Sequence, residues 1–199
     1  MKFANLADAG DRLAPLLADL PRDSLLIAIM PSGIAVACRI AKQTRMDVGA
    51  AFLERDGEVV RVTELPPVDG RTVVIVDDGI ETGTAAGAVV QAVRDAGAAR
   101  VIVAMPVVPK EVQAWLDLMV DEVIAIDRPF GRRSLAWHYE DFDPIDDEMG
   151  RFILERQAWK RGWVTECVPK SGEADQPGEP GEPGCDSHSG HRSRHGGSL

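Results

Sequence analysis

Apolar positions along the 199-residue chain follow two periodicities. Residues 25–30 (LLIAIM), 73–76 (VVIV), 101–105 (VIVAM) and 123–126 (VIAI) are short unbroken apolar runs. That is the pattern of strands buried on both faces. Over residues 3–20, Leu6, Leu13, Leu16, Leu17 and Leu20 recur at helical spacing. Helices are likewise expected over 33–42, 85–96 and 110–119. A last one, over 146–161, would pack Met149, Phe152, Ile153 and Trp159 back on the body. Residues 47–65 read as a hairpin turning at Asp56-Gly57, a dipeptide that suits a tight turn. Strands alternating with helices predict an α/β fold, a doubly wound and mostly parallel sheet flanked by helices.

The pattern stops near Ser171. From there to Leu199 the chain reads SGEADQPGEPGEPGCDSHSGHRSRHGGSL, with Leu199 its only large aliphatic residue. Such a segment buries too little apolar surface to offset its ordering entropy. The expected organisation is therefore one domain over 1–165 and a disordered tail over 166–199.

Charge and cysteines narrow the class further. With 22 basic against 32 acidic residues the net charge is −10, which argues against binding a nucleic-acid backbone. Cys38, Cys167 and Cys185 show no metal-binding spacing and cannot all pair internally, as expected of a reduced intracellular chain. Asp8 and Asp11 stand where a signal peptide would need apolar residues. No apolar run approaches a membrane span. A cytoplasmic location with neither membrane nor nucleic-acid partner is expected.

The segment Val73 to Ala85 (VVIVDDGIETGTA) carries the chemistry. An apolar strand ends in Asp77 and Asp78, and a Gly/Thr turn then opens a helix. Ligands of open α/β sheets gather at such strand ends, and amide groups at a helix N-terminus favour a phosphate. Adjacent carboxylates would repel that phosphate. They make sense if they hold sugar hydroxyls or a divalent cation. Together these suggest a phosphorylated sugar. The plainer alternatives are a strand cap followed by a helix start, or the acidic pocket of a receiver domain. Neither a GxxxxGK[ST] loop nor a strand-bound GxGxxG is present.

Residues 76–84 (VDDGIETGT) resemble the phosphoribosyl diphosphate (PRPP) binding motif of the type I phosphoribosyltransferases. The resemblance extends over about residues 3–142. It implies that fold, magnesium as cofactor, and a catalytic set of Asp77, Asp78 and Glu81. Asp77 and Asp78 would hold the ribose hydroxyls near the metal. Glu81, Thr82, Gly83, Thr84 and Ala85 would line the 5-phosphate loop, and Pro31, Ser32 and Gly33 would face the diphosphate. Glu81 occupies the position of a proton-handling acid in some relatives, although an acid favoured by the helix dipole reads the same way. Phe130 and Trp137, in the region where relatives build a hood over the nucleobase, could stack a planar base or simply pack in the core. Arg128, Arg132 and Arg133 could contact an anion or stay solvated. The resemblance leaves a homodimer open.

The implied activity is transfer of the 5-phosphoribosyl group from PRPP to a nitrogenous base or related small acceptor, with release of diphosphate. Three departures from the family pattern favour the alternative, a non-catalytic PRPP or nucleotide sensor. Ser32 brings no charge to the diphosphate loop, where many relatives have a basic residue. The interval 42–71 that should form the mobile hood is short, with Lys42, Arg45, Arg55 and Arg61 as its cations. Ala85 replaces a hydroxyl residue at the end of the phosphate loop.

Overall fold

The computed structural model describes residues 2–57, 59–131 and 133–160, the last three by backbone alone. The tail expected over 166–199 lies outside them, as do Arg132 and the side chain of Trp159. Among the described residues no helix is long and apolar enough to cross a membrane.

Six strands form one sheet: β1 (Leu25–Ile29), β2 (Asp47–Asp56), β3 (Val59–Glu64), β4 (Thr72–Val76), β5 (Arg100–Val107) and β6 (Glu122–Asp127). They lie in the order β3-β2-β1-β4-β5-β6. All neighbours pair in parallel except β3, which folds back on β2. The turn between them falls at the Asp56-Gly57 dipeptide, and Gly57 takes a φ of 60°. The doubly wound, mostly parallel sheet expected from the pattern is the observed one.

Strand alternation divides the core into two layers. Leu26, Ala28, Val74, Val76, Ile102 and Ala104 face one side, with Leu13, Leu17, Ile34 and Ile40 of the covering helices. Leu25, Ile27, Val73, Ile75, Val101 and Val103 face the other, under Val89, Val93, Val112 and Leu116. Both faces are covered, so the strands need apolar residues at every position. That is why they read as unbroken runs.

The first helical stretch is shorter than its leucine spacing suggests. The helix α1 spans Leu6–Leu13 and tightens into a 3₁₀ turn, Ala14–Leu17. Asn5 caps it, its side chain accepting from the Asp8 N–H at 3.0 Å. Helices α2 (Gly33–Thr44), α3 (Thr84–Asp95), α4 (Lys110–Leu116) and α5 (Asp147–Lys160) complete the layers. The contact surface of α5 differs from expectation. Met149 and Phe152 are half exposed, Ile153 packs at the margin of the core, and Gly150 makes the close approach. A Cβ there would lie 2.9 Å from Met30 Cε and 3.1 Å from Pro31 Cβ. The last helix therefore rests on the loop that leaves β1.

Gly10 sets the approach of α1 to α2. A Cβ there would stand 2.7 Å from Arg39 Cβ and 2.8 Å from the Val36 carbonyl. Neither is the free end of a flexible side chain, so the helices must part. Asp11 beside it pairs with Arg39 across the same contact. Gly10→Ala should lower stability by about 1–2 kcal/mol in urea denaturation, because overpacking outweighs the helix-propensity gain.

Candidate active site at the switch point

Strand order reverses between β1 and β4. One neighbour continues to β2 and the other to β5, so the loops leaving their carboxyl ends diverge and open a crevice. The loop after β1 is Met30 to Ser32, with a cis Met30–Pro31 bond. The loop after β4 is Asp77 to Gly83. The two acids and the Gly/Thr turn thus meet Pro31, Ser32 and Gly33 in space.

Two clefts adjoin there. One, of about 330 Å³, includes Asp77, Asp78, Glu81, Thr82 and Gly83 in its lining, with Leu135 as an apolar wall. The other, of about 430 Å³, is bordered by Pro31, Ser32, Asp77, Asp78 and Asp147. Ala85 and Arg55 line both. Thr84 points elsewhere, into a side cleft with Glu111 and Trp115. Its hydroxyl lies 3.1 Å from that of Thr82.

The backbone turns on its glycines. Gly83 is left-handed at φ 86° and stands at the N-cap of α3, where no side chain caps the helix. The Thr84 N–H donates to the Thr82 hydroxyl at 3.4 Å, and the amides that follow it are left for an anion. Gly33 lets α2 approach β4, since a Cβ would sit 2.6 Å from the Val76 carbonyl.

The two acids are held out of water. Asp78 is 8% exposed and Asp77 is half-buried, packed against Gly33. Desolvation pushes Asp78 up to about 6, with the charge of Glu81 acting in the same direction. Hydrogen bonds with Asp77, its own backbone N–H and Ser32 pull it back. Asp77 is raised too, by desolvation first and then by the charge of Asp78. The Asp78 N–H, donated to it at 2.9 Å, and the nearby Arg55 oppose this. The two carboxyls also hydrogen-bond each other, so they titrate as a pair.

The turn after β6 locks this arrangement. Tyr139 donates its hydroxyl to the Asp78 carbonyl at 2.5 Å, and burial raises the phenol, with the charges of Asp78 and Asp77 adding to it. Glu81 accepts the Leu135 N–H at 2.8 Å. Leu135 lies over Gly79, where a Cβ would meet it at 2.5 Å. Glu81 thus has a structural partner besides any chemical role. Leu135 and Asp147 carry no signal in the sequence as site residues, whereas Tyr139 is one of the aromatics after the last core strand, read there as stacking a base or packing in the core. Arg55 carries a signal as a cation beside a hairpin turn in the hood interval.

Phe130 and Trp137 lie elsewhere. They line a further cleft of about 420 Å³ beside β6, with Lys2, Asp127, Arg133 and His138. It shares no lining residue with the two clefts at the acid pair. Arg128 is engaged by Gln113 and the Ala125 carbonyl.

The Asp78 shift has a definite sign. A native carboxyl raised to about 6 binds its proton more tightly than in the unfolded chain. Stability then falls as pH rises toward 6 and stays reduced above it. In metal-free protein Asp78→Asn should raise stability by about 1–3 kcal/mol at pH 8. The gain should shrink through pH 6 toward the ordinary carboxylate range, as read by thermal melts across pH.

Comparison with known proteins agrees with this fold. Two curated relatives from Mycobacterium tuberculosis, strains H37Rv and CDC 1551, are named provisionally as phosphoribosyl transferases. Each is 29% identical over 204 aligned positions, covering 76% of this chain and 46% of theirs. The chain thus spans about half the length of the curated relatives it matches. The crystal structure of TT1426 from Thermus thermophilus superposes with a TM-score of 0.70 at 22% identity, covering 79% of this chain and 99% of that one. A purine phosphoribosyltransferase from Pyrococcus horikoshii gives a TM-score of 0.53 at 22% identity, covering 73% and 99%. Both likenesses speak for the fold. The profile of the phosphoribosyl transferase domain matches residues 13–114, more than half of the chain and all of the acid pair and its turn, and the chain belongs to that family.

Proposed function

We propose that the protein transfers the 5-phosphoribosyl group of PRPP to a nitrogenous base or a related small acceptor and releases diphosphate. One observation carries this reading: the acid pair, the uncapped N-terminus of α3 and Arg55 converge at a single switch-point crevice.

The chemistry follows from those parts. The phosphate is held by the amides at the start of α3 with the hydroxyl of Thr82 beside it, and Asp77 and Asp78 accept the ribose hydroxyls. The bond from C1 to diphosphate breaks with its electron pair leaving on oxygen, and the acceptor nitrogen closes the new C1–N bond. The sugar carries oxocarbenium character between the two events, as in glycoside cleavage. No protein nucleophile is required. The acceptor enters beside Leu135 and Ile80, and Glu81, whose Oε1 is engaged by Leu135, takes its proton through the other oxygen. The protein positions the pair and excludes water.

Magnesium fits this donor set. Among the described residues no group of three or more potential ligands is arranged to hold a metal. Asp77 and Asp78 offer hard oxygens, and the desolvation and crowding that weaken both as acids are what a cation would relieve. A magnesium bound partly by substrate phosphates and water needs no more than that. When bound, it stabilises the charge of the departing diphosphate. Arg55 supplies the positive charge that Pro31, Ser32 and Gly33 lack.

The second reading is a non-catalytic PRPP or nucleotide sensor. The carboxylate of Asp147, bordering the diphosphate loop, favours it, because it opposes an anionic leaving group.

Calorimetric titration of PRPP with and without magnesium tests both. Magnesium-dependent binding is expected. Arg55→Gln should weaken it about tenfold, the worth of one charge-assisted contact, and Asp78→Asn should remove turnover. Binding without diphosphate release for any base would select the sensor. No heat up to millimolar PRPP would sink both readings.

A further inference from the structure

Tyr139 is the only tyrosine of the chain, and it is buried in the core at 2% exposure. Its ring lies between Phe3 and Phe142, with ring centres 5.4 and 5.1 Å away. A phenylalanine would fill the same space, and burying a hydroxyl costs stability unless it is hydrogen-bonded. The hydroxyl has its partner in the Asp78 carbonyl, at 2.5 Å. Yet Tyr139 lines neither cleft at the acid pair.

That bond reaches the backbone of the acid turn. The Asp78 N–H donates to Asp77 Oδ1 at 2.9 Å, and the Asp78 carbonyl accepts from Tyr139. Both peptides flanking Asp78 are therefore pinned, and with them the direction in which its carboxyl leaves the backbone. Gly79 follows at a φ of 148°, where the freedom of glycine would otherwise let the 78–79 peptide turn. The chain is held again at the next residue, where the Ile80 N–H donates to the Val107 carbonyl at 2.9 Å.

A distant segment braces Tyr139 in turn. The Phe3 N–H donates to the His138 carbonyl and the Glu140 N–H to the Phe3 carbonyl, both at 2.8 Å. The Asp141 N–H donates to the Ala4 carbonyl at 3.0 Å. Residues 3 and 4 thus run beside 138–141, with Phe3 paired to Tyr139 as in a parallel sheet. Burial and the two nearby acids keep the phenol protonated, so it remains a donor.

We propose that Tyr139 is a positioning residue for the switch-point crevice: by fixing the Asp78 carbonyl it aims the Asp78 carboxyl at a ribose hydroxyl. The inference rests on the reading of Asp77 and Asp78 as the groups that accept those hydroxyls. Tyr139 itself touches no substrate. A tyrosine that only packs would support every ligand of the crevice alike. One that aims Asp78 supports only ligands carrying the hydroxyl, because the phosphate end depends on the amides at the start of α3.

The probes are ribose 5-phosphate, 2-deoxyribose 5-phosphate and inorganic phosphate, titrated calorimetrically into the full chain without magnesium. The wild type should prefer ribose 5-phosphate to its deoxy analogue by about tenfold, the worth of one hydrogen bond to a charged oxygen. Tyr139→Phe should cut that preference to about threefold or less and leave phosphate binding unchanged. Tyr139→p-aminophenylalanine, which returns a donor to the same ring, should restore it. Adding Tyr139→Phe to Asp78→Ala should lower the preference no further, because the two residues act as one unit. Full preference in Tyr139→Phe, or equal weakening of all three probes, overturns the positioning role alone. A wild type that binds neither sugar, or both alike, overturns the ribose reading of the acid pair and this role with it. If Tyr139→Phe does not fold, fluorine NMR of the wild type labelled with 3-fluorotyrosine decides, since there is one labelled ring. Ribose 5-phosphate should move its signal and phosphate should not. A signal that neither ligand moves, or that both move alike, overturns the proposal.

Discussion

The central constraint is the burial of two adjacent carboxyls at the carboxyl end of β4. Asp77 and Asp78 stand where the strand order reverses, Asp78 buried and Asp77 half-buried by the surrounding loops. That placement raises both acids and costs stability wherever they ionise. The neighbouring structure limits the cost. Tyr139 satisfies the Asp78 carbonyl, the Asp78 N–H satisfies Asp77, and Glu81 anchors the turn that covers them. A site strained in the free protein is ready for hydroxyls and a cation, which would replace the missing solvation.

Positive charge reaches this site by an indirect route. The loop after β1 has none, since Pro31, Ser32 and Gly33 are uncharged. The β2–β3 hairpin instead carries Arg55 over both clefts. The same hairpin meets α5, where Arg151 lies 4.0 Å from the centre of the Phe52 ring and 3.7 Å from the Glu64 carboxylate. The last helix in turn rests on the Met30–Pro31 loop through Gly150. Three segments far apart in the chain therefore meet on the Pro31–Ser32 side of the crevice.

Much of this architecture was legible in the chain. Strands buried on both faces need an apolar residue at each position, so β1, β4, β5 and β6 stood out as runs. The Asp56-Gly57 turn located the hairpin, and the two acids followed by Thr-Gly located the turn that lines the switch-point crevice. These signals are local, because side-chain periodicity and turn conformation depend on neighbours within a few residues. The extent of α1 was less legible. Its leucines run on to Leu20, yet the α-helix closes at Leu13 and tightens into a 3₁₀ turn that has Pro15 in its first turn.

What the tertiary structure alone decided is which distant groups meet. The bond from Tyr139 to Asp78 joins residues 61 apart, and that from Leu135 to Glu81 joins residues 54 apart. Neither leaves a periodic trace, because such contacts depend on strand order and loop path. The same holds for Phe130 and Trp137, which sequence alone allowed to stack a base or fill the core. Their cleft lies where the turn after β6 packs against the loop that follows β4, with Leu135 on one side and His138 on the other. The sequence by itself determined the elements and the chemistry of the acid turn. Folding determined its company, since apolar burial is satisfied by many arrangements while each hydrogen bond to a buried acid admits one.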